Sequence, residues 1–146
     1  MAQPHDDAHL LHHLIARAAW RDGARTALVD GDRSMDYAVL QQGVEAFASG
    51  LMALGLRRGD RVGIYLDKRF ETVIASFGIP AAGGVLVPMN PLLKPEQVAY
   101  IARDCDVRIL VTSPQRMSLL ATALAECPGL STVVVTQDCP RAAGLP

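Results

Sequence analysis

Val62-Gly63-Ile64-Tyr65-Leu66, Val85-Leu86-Val87, Arg108-Ile109-Leu110-Val111-Thr112 and Thr132-Val133-Val134-Val135-Thr136 are four short apolar runs whose first residues stand 23, 23 and 24 positions apart. The first is short, apolar and bounded by charge, as expected of a buried strand, and the fourth is made of β-branched residues. One helical pattern fills each gap: Phe70, Val73, Ile74, Phe77 and Ala81; then Val98, Ile101 and Ala102; then Met117, Leu120, Ala121 and Leu124. The result is β-α-β-α-β-α-β. A parallel pair cannot be closed by a tight turn, so this alternation implies parallel strands, right-handed crossovers and helices on the sheet faces. The fold class is α/β, a mostly parallel sheet with flanking helices in βα units. No residue identity repeats at that interval, which excludes a solenoid.

The punctuation agrees. Gly83-Gly84 stops the first of these helices, and Pro80 near its end removes one backbone hydrogen bond. Pro95 suits a first helical position, Ser113-Pro114 caps the third helix, and Pro128-Gly129 closes it. Upstream, Tyr37, Leu40, Val44, Phe47, Leu51 and Leu54 alternate steps of three and four between an N-cap at Asp36 and a C-cap at Gly55. Before that, Ala27-Leu28-Val29-Asp30 and Arg33-Ser34-Met35-Asp36 flank Gly31-Asp32, which reads as a β-hairpin. Leu10, Leu11, Leu14, Ala18 and Trp20 form the apolar face of an N-terminal helix over residues 9–21, ended by Gly23. The expected core is Leu40, Val44, Phe47, Leu51, Ile64, Val87, Ile109, Leu110, Leu120 and Val134. Residues 1–8 read as a disordered N-terminus, 9–137 as one α/β subdomain, and 138–146 as a linker or truncated tail.

The chain has 146 residues, half of them apolar, with 14 basic against 15 acidic side chains. That balance gives no electrostatic reason to expect nucleic acid or an anionic membrane as partner. The first residues are not basic followed by an apolar stretch, so no secretory or mitochondrial leader is expected and the cytoplasm is the default location. Residues 72–93 carry no charge and are long enough to cross a bilayer, but Gly78, Pro80, Gly83, Gly84, Pro88, Asn90 and Pro91 interrupt them repeatedly. No membrane span is expected. Cys105, Cys127 and Cys139 are odd in number and lack C-x-x-C spacing, so they read as reduced thiols.

Ligands on open α/β sheets bind beyond the carboxyl ends of the strands. The loops there hold no nucleophile with a base, no glycine-rich phosphate loop and no metal cluster. Lys68 and Arg69 are the candidate anion-binding residues, two cations beside a helix start. Thr112-Ser113-Pro114 reads as a helix cap. His9 and His13 share the i, i+4 spacing that metals use, but no third ligand joins them. No catalytic, cofactor-binding or metal residue beyond the Lys68 and Arg69 candidates is expected in this chain.

Gly59-Asp60-Arg61-Val62-Gly63-Ile64 followed by Gly83-Gly84-Val85-Leu86-Val87-Pro88-Met89-Asn90-Pro91 resembles the adenylate-forming acyl-CoA synthetase family. Met35-Asp36-Tyr37 is similar to that family's Thr-Tyr entry to a long helix. Leu92-Leu93-Lys94-Pro95-Glu96-Gln97-Val98 resembles its post-strand helix, and Arg108 to Thr112 its next strand. The likeness covers residues 11–136. Within the family, Asp67-Lys68-Arg69-Phe70-Glu71 and Ile79-Pro80-Ala81-Ala82-Gly83-Gly84 resemble ligases associated with bacterial exosortase clusters. The family often has Asn-Ser at Asp67-Lys68 and Leu-Lys at Pro80-Ala81, so a bent helix end is expected here.

The resemblance implies an AMP-forming acid–thiol ligase. A carboxylate attacks the α-phosphate of ATP, releasing pyrophosphate and forming acyl-AMP; the thiol of CoA then attacks the acyl carbon and AMP leaves. ATP, Mg²⁺ and CoA are implied for a full-length parent, as is a carboxylic, typically fatty, acid substrate. The Ser/Thr/Gly-rich loop ending Pro-Lys-Gly that supports this chemistry in the family is not in the sequence, which ends before it. The chain alone is therefore expected to be inactive and to bind none of these cofactors. The alternatives are a stand-alone binding or partner-docking module using an open sheet edge, and a non-functional gene fragment.

Overall fold

The structure, a computed structural model, describes residues 9–137; the readings of 1–8, of 138–146 and of Cys139 lie outside the described residues. The elements are α1 (His13–Asp22), β1 (Thr26–Asp30), β2 (Arg33–Asp36), α2 (Tyr37–Ala53), β3 (Arg61–Tyr65), α3 (Phe70–Ala81), β4 (Val85–Pro88), α4 (Pro95–Asp104), β5 (Val107–Thr112), α5 (Pro114–Leu124) and β6 (Thr132–Val135). Strands β1 and β2 form the antiparallel hairpin. The other four form one parallel sheet in the order β4-β3-β5-β6. The α/β reading holds, with all four strands where the apolar runs placed them.

Helices α2 and α3 cover one face of the sheet, where Leu51, Leu56, Val62, Ile64, Leu66, Ala75, Ile79, Ile109 and Val111 are buried together. Helices α4 and α5 cover the other, enclosing Tyr65, Met89, Val98, Ala102, Val107, Leu110, Leu120 and Leu124. Strict alternation along β5 would separate Val107 from Leu110. The β3–β5 register shifts between Arg61 and Val62, so Arg61 pairs with Val107 while Val62 pairs with Ile109, and the parity is restored beyond the irregularity. Full burial of one Val, Ile or Leu contributes about 1.5–3 kcal/mol against about 1 kcal/mol for a helix cap, so the sheet carries the stability.

A third layer, α1 and the hairpin, lies over α2 and α3 around Ile15, Leu40 and Val44, with Leu28, Met35, Ile74 and Phe77 packed against them. Helices α2 and α3 approach closely because each sets a glycine against a bulky side chain of the other, Gly78 against Phe47 and Gly43 against Ile74. A Cβ on Gly78 would stand 2.6 Å from Phe47 Cδ1, and one on Gly43 would stand 3.0 Å from Ile74 Cδ1.

Several helix ends follow the expected chemistry. Asp36 caps α2 by accepting from Val39 N–H at 2.8 Å, and Ser113 caps α5. Gly83, at φ +82°, ends α3 in a left-handed turn closed by Gly84 N–H to Ile79 O at 2.9 Å and Gly83 N–H to Pro80 O at 3.0 Å. Pro80 lies inside α3, which continues through it to Ala81.

Three details differ from the sequence reading. Helix α1 begins at His13, residues 10–12 forming a turn closed by His13 N–H to Leu10 O, so His9 lies outside the helix. The expected apolar face of α1 is largely outward: Leu14 is 52% and Trp20 58% exposed, while Ile15 is the buried residue. Of the expected core, Phe47, Val87 and Val134 are only partly buried, at the margins of the clusters.

Candidate functional site at the carboxyl edge of the sheet

In the order β4-β3-β5-β6, the connection after β3 runs outward to β4 over one face and the connection after β5 runs outward to β6 over the other. The loops leaving these two neighbouring strands therefore diverge, and a crevice opens between them at the carboxyl edge, where ligands of open α/β sheets are bound. Asp67, Lys68 and Arg69 stand on its β3 side, and Ser113 to Arg116 on its β5 side.

Arg116 bridges the crevice. Its Nη2 donates to Asp67 Oδ1, its Nη1 donates to Pro91 O at 2.7 Å, and its guanidinium carbon lies 4.6 Å from the centroid of the Tyr65 ring. One side chain thus ties together the loops that follow β3, β4 and β5. Tyr65 adds a second tie, donating its hydroxyl to Leu93 O at 2.6 Å, and Thr112 a third, donating Oγ1 to Tyr65 O at 2.9 Å. Arg116 Nε and Thr136 Oγ1, both at this edge, are buried without a hydrogen-bond partner. Thr136 N–H still bonds Thr112 O at 2.9 Å, so the β5–β6 ladder runs one residue past β6 as assigned.

This edge combines positive helix ends and cations with the carboxylates of Asp67, Glu71 and Glu96. The N-termini of α3, α4 and α5 all lie here, with their partial positive charge, and Arg69, Lys94 and Ser113 are the respective N-caps. Of the two candidate anion residues, Arg69 donates Nε to Glu71 Oε2 at 2.9 Å, while Lys68 has no ion pair or hydrogen bond among the described residues. Burial alone would raise the Glu71 carboxyl, but hydrogen bonds from the Arg69 side chain and from backbone, with the charges of Arg69 and Arg33, hold it below the ordinary glutamate value. Lys68, Lys94 and Arg116 are the side chains that could meet a phosphate or carboxylate at this edge. Lys94 and Arg116 have no counterpart in the sequence reading. The signal for Arg116 was the strand order, which a linear pattern does not contain.

The opposite edge is built differently. Asp60 Oδ2 accepts from Arg57 N–H at 2.9 Å and lies 3.6 Å from Arg108 Nε. That backbone hydrogen bond is the largest influence holding the Asp60 carboxyl below its ordinary value; burial opposes it, and the charges of Arg108, Arg57 and Arg61 assist it. Arg61 donates to Cys105 O at 2.9 Å, Gly59 O at 3.1 Å and Asp106 Oδ2 at 2.6 Å. Cations at the carboxyl-terminal end of α4 complement its dipole.

His12, not His9, is the ring beside His13, edge to face at a centroid distance of 4.5 Å. Among the described residues no three His, Cys, Asp or Glu side chains gather as metal ligands, and no helix is long and apolar enough to cross a membrane. Cys105 and Cys127 are free thiols.

An open parallel sheet with diverging strand-end loops places this protein in the α/β class. The sequence narrows that class: residues 15–145 match the family described as AMP-binding enzyme, and the chain belongs to that family. It is 34% identical over 114 residues to the medium/long-chain-fatty-acid–CoA/3-oxocholest-4-en-26-oate–CoA ligase of Mycobacterium marinum, covering 78% of this chain and 21% of the relative. It is 35% identical over 109 residues to the crotonobetaine/carnitine–CoA ligase of Salmonella paratyphi B, covering 68% and 21%. Its backbone is similar to that of the anthranilate CoA ligase AuaEII, solved in complex with anthranoyl-AMP, with a TM-score of 0.83 and 30% identity over 88% of this chain and 25% of that one. The chain spans about a fifth of the length of the first curated relatives it matches.

Proposed function

We propose that residues 9–137 are the amino-terminal α/β subdomain of the AMP-binding domain of an acyl-CoA ligase working in the cytoplasm. The observation that carries this reading is the family match across residues 15–145, joined to a backbone similar to that of an acyl-CoA ligase over 88% of the chain. The relatives named above act on carboxylic acids and CoA, which supports a carboxylic acid substrate, ATP as the activating nucleotide and CoA as the thiol acceptor. The exosortase-associated likeness rests on the runs at residues 67–71 and 79–84 alone.

In such a ligase the acid attacks the α-phosphate and pyrophosphate leaves; the CoA thiol then displaces AMP from the acyl carbon. Mg²⁺ supplies charge neutralisation on the phosphates. The part assigned to this chain is mechanical and electrostatic. Arg116, Tyr65 and Thr112 fix the strand-end loops relative to one another, and the helix N-termini with Lys68 and Lys94 set a positive edge against which a nucleotide-bearing region would lie. No Pro-Lys-Gly loop is present in these 146 residues.

The purified 146-residue chain should therefore give no ATP–pyrophosphate exchange with medium- or long-chain fatty acids, whereas a longer polypeptide carrying it should exchange and form acyl-CoA. Robust exchange by the 146-residue chain would overturn the division of labour proposed here.

A further inference from the structure

Between α1, the turn that follows it and the start of α2 lies a cleft of about 380 Å³ lined by Leu14, Arg17, Ala18, Arg21, Asp22, Arg25 and Tyr37. Three of its residues are arginines and one is an acid. Arg17, Arg21 and Arg25 have no ion-pair or hydrogen-bond partner for their side chains among the described residues. Arg17 Nε is buried and makes no hydrogen bond.

Arginines late in a helix complement its dipole, and that accounts for Arg21 and, beyond the helix end, Arg25. It does not account for Arg17, which lies mid-helix. A charged donor withdrawn from water without an acceptor is unfavourable, and the residue that carries it lines a cleft shared with two further guanidinium groups. The backbone that shapes the cleft is fixed from both sides. Arg25 N–H bonds Asp22 O at 3.2 Å, and Tyr37 N–H bonds Arg25 O at 3.1 Å, so Arg25 and Tyr37 are held against the end of α1.

We propose that this cleft is a binding site for a small phosphorylated molecule. Guanidinium forks match phosphate oxygens in pairs, and the excess of two positive charges over Asp22 suits a phosphate dianion better than a single carboxylate. The volume falls within the range of small-ligand pockets and exceeds what a bare phosphate fills, and Leu14 and Ala18 supply an apolar wall for the remainder of the ligand. The site is separate from the carboxyl edge and does not depend on the ligase reading.

The test uses the 146-residue chain, titrated with inorganic phosphate, pyrophosphate and AMP by calorimetry and by amide NMR, with Trp20, which directly precedes Arg21 in sequence, as a fluorescence reporter. The proposal expects binding in the micromolar-to-millimolar range that weakens with added salt and shifts the amides of Arg17, Ala18, Arg21, Arg25 and Tyr37. Arg17→Gln should weaken it by about tenfold or more, and Arg25→Gln should also weaken it, while Arg103→Gln on α4 should leave it unchanged. Equal affinity for phosphate and AMP makes the phosphate the whole recognised group; tighter AMP binding shows use of the apolar wall. Circular dichroism checks that each variant is folded. The proposal is overturned if none of the three anions binds into the millimolar range, if Arg17→Gln and Arg25→Gln, both folded, bind as the parent does, or if the shifted amides map to Lys68 and Arg69 instead.

Discussion

Every residue of β5 except Arg108 is buried, from Val107 to Thr112, whereas no residue of the β1–β2 hairpin is fully buried and α1 buries Ile15 alone. The sheet is covered on two faces and the outer layer on one. A residue in the middle of β5 loses water whichever way it points, so Ile109, Leu110 and Val111 are apolar and the buried Thr112 hydroxyl is spent on a bond to Tyr65 O. In α1 only a narrow stripe meets α2, and the rest of its apolar side chains, Leu14 and Trp20 among them, stay in contact with solvent. A run of hydrophobic residues is thus a statement about position only where the element has neighbours on every side.

Removing buried volume from the sheet and from the outer layer should have very different consequences. Leu110→Ala, at 0% exposure between sheet and helices, should cost about 2–5 kcal/mol and lower the denaturation midpoint of the whole unit, read by urea titration. Ile15→Ala should cost less, about 2 kcal/mol, with the loss of amide protection in hydrogen exchange confined to α1, the hairpin and the facing turns of α2. Loss of protection throughout the sheet in the second variant would show that the outer layer is integral to the core.

A smaller effect tests the amino edge. Because folding holds the Asp60 carboxyl below its ordinary value, its contribution is complete above about pH 3.8 and is lost as the pH falls through the depressed value. Asp60→Asn should therefore lower the melting temperature at pH 7, and the gap between parent and variant should close as the pH is brought below about 3.8. A gap that persists unchanged in acid would assign the loss to the altered turn geometry around Arg57 and not to the charge.

The four strands were legible because each is a short apolar, largely β-branched run set between helical patterns at a regular interval. The caps at Asp36 and Ser113 were legible because their bonds span three residues. What escaped depends on contacts distant in sequence. Strand order places Asp67 beside Arg116 across 49 positions, and no local pattern records it. Asp106 adopts φ +51° at the end of α4, where glycine is the usual signal; an aspartate tolerates that conformation, and its carboxylate meets Arg61, which is 45 positions away. The phase of α1 was misread because Leu10, Leu11, Leu14 and Trp20 outnumber Ile15 in a count that ignores which side α2 occupies. For the candidate site, the rule for strand ends pointed to the position of Lys68 and Arg69 beyond β3, while the Arg17–Arg21–Arg25 cleft needed the turn at Arg25 to be folded back on α1.

The order β4-β3-β5-β6 also governs how the sheet can be assembled as the polypeptide leaves the ribosome. The strand made first, β3, becomes an interior one; β4 is added on one flank, β5 on the other, and β6 outside β5. Each strand joins an edge that is free when it emerges, so no strand has to be inserted between two that are already paired, and the sheet can grow outward at the pace of translation.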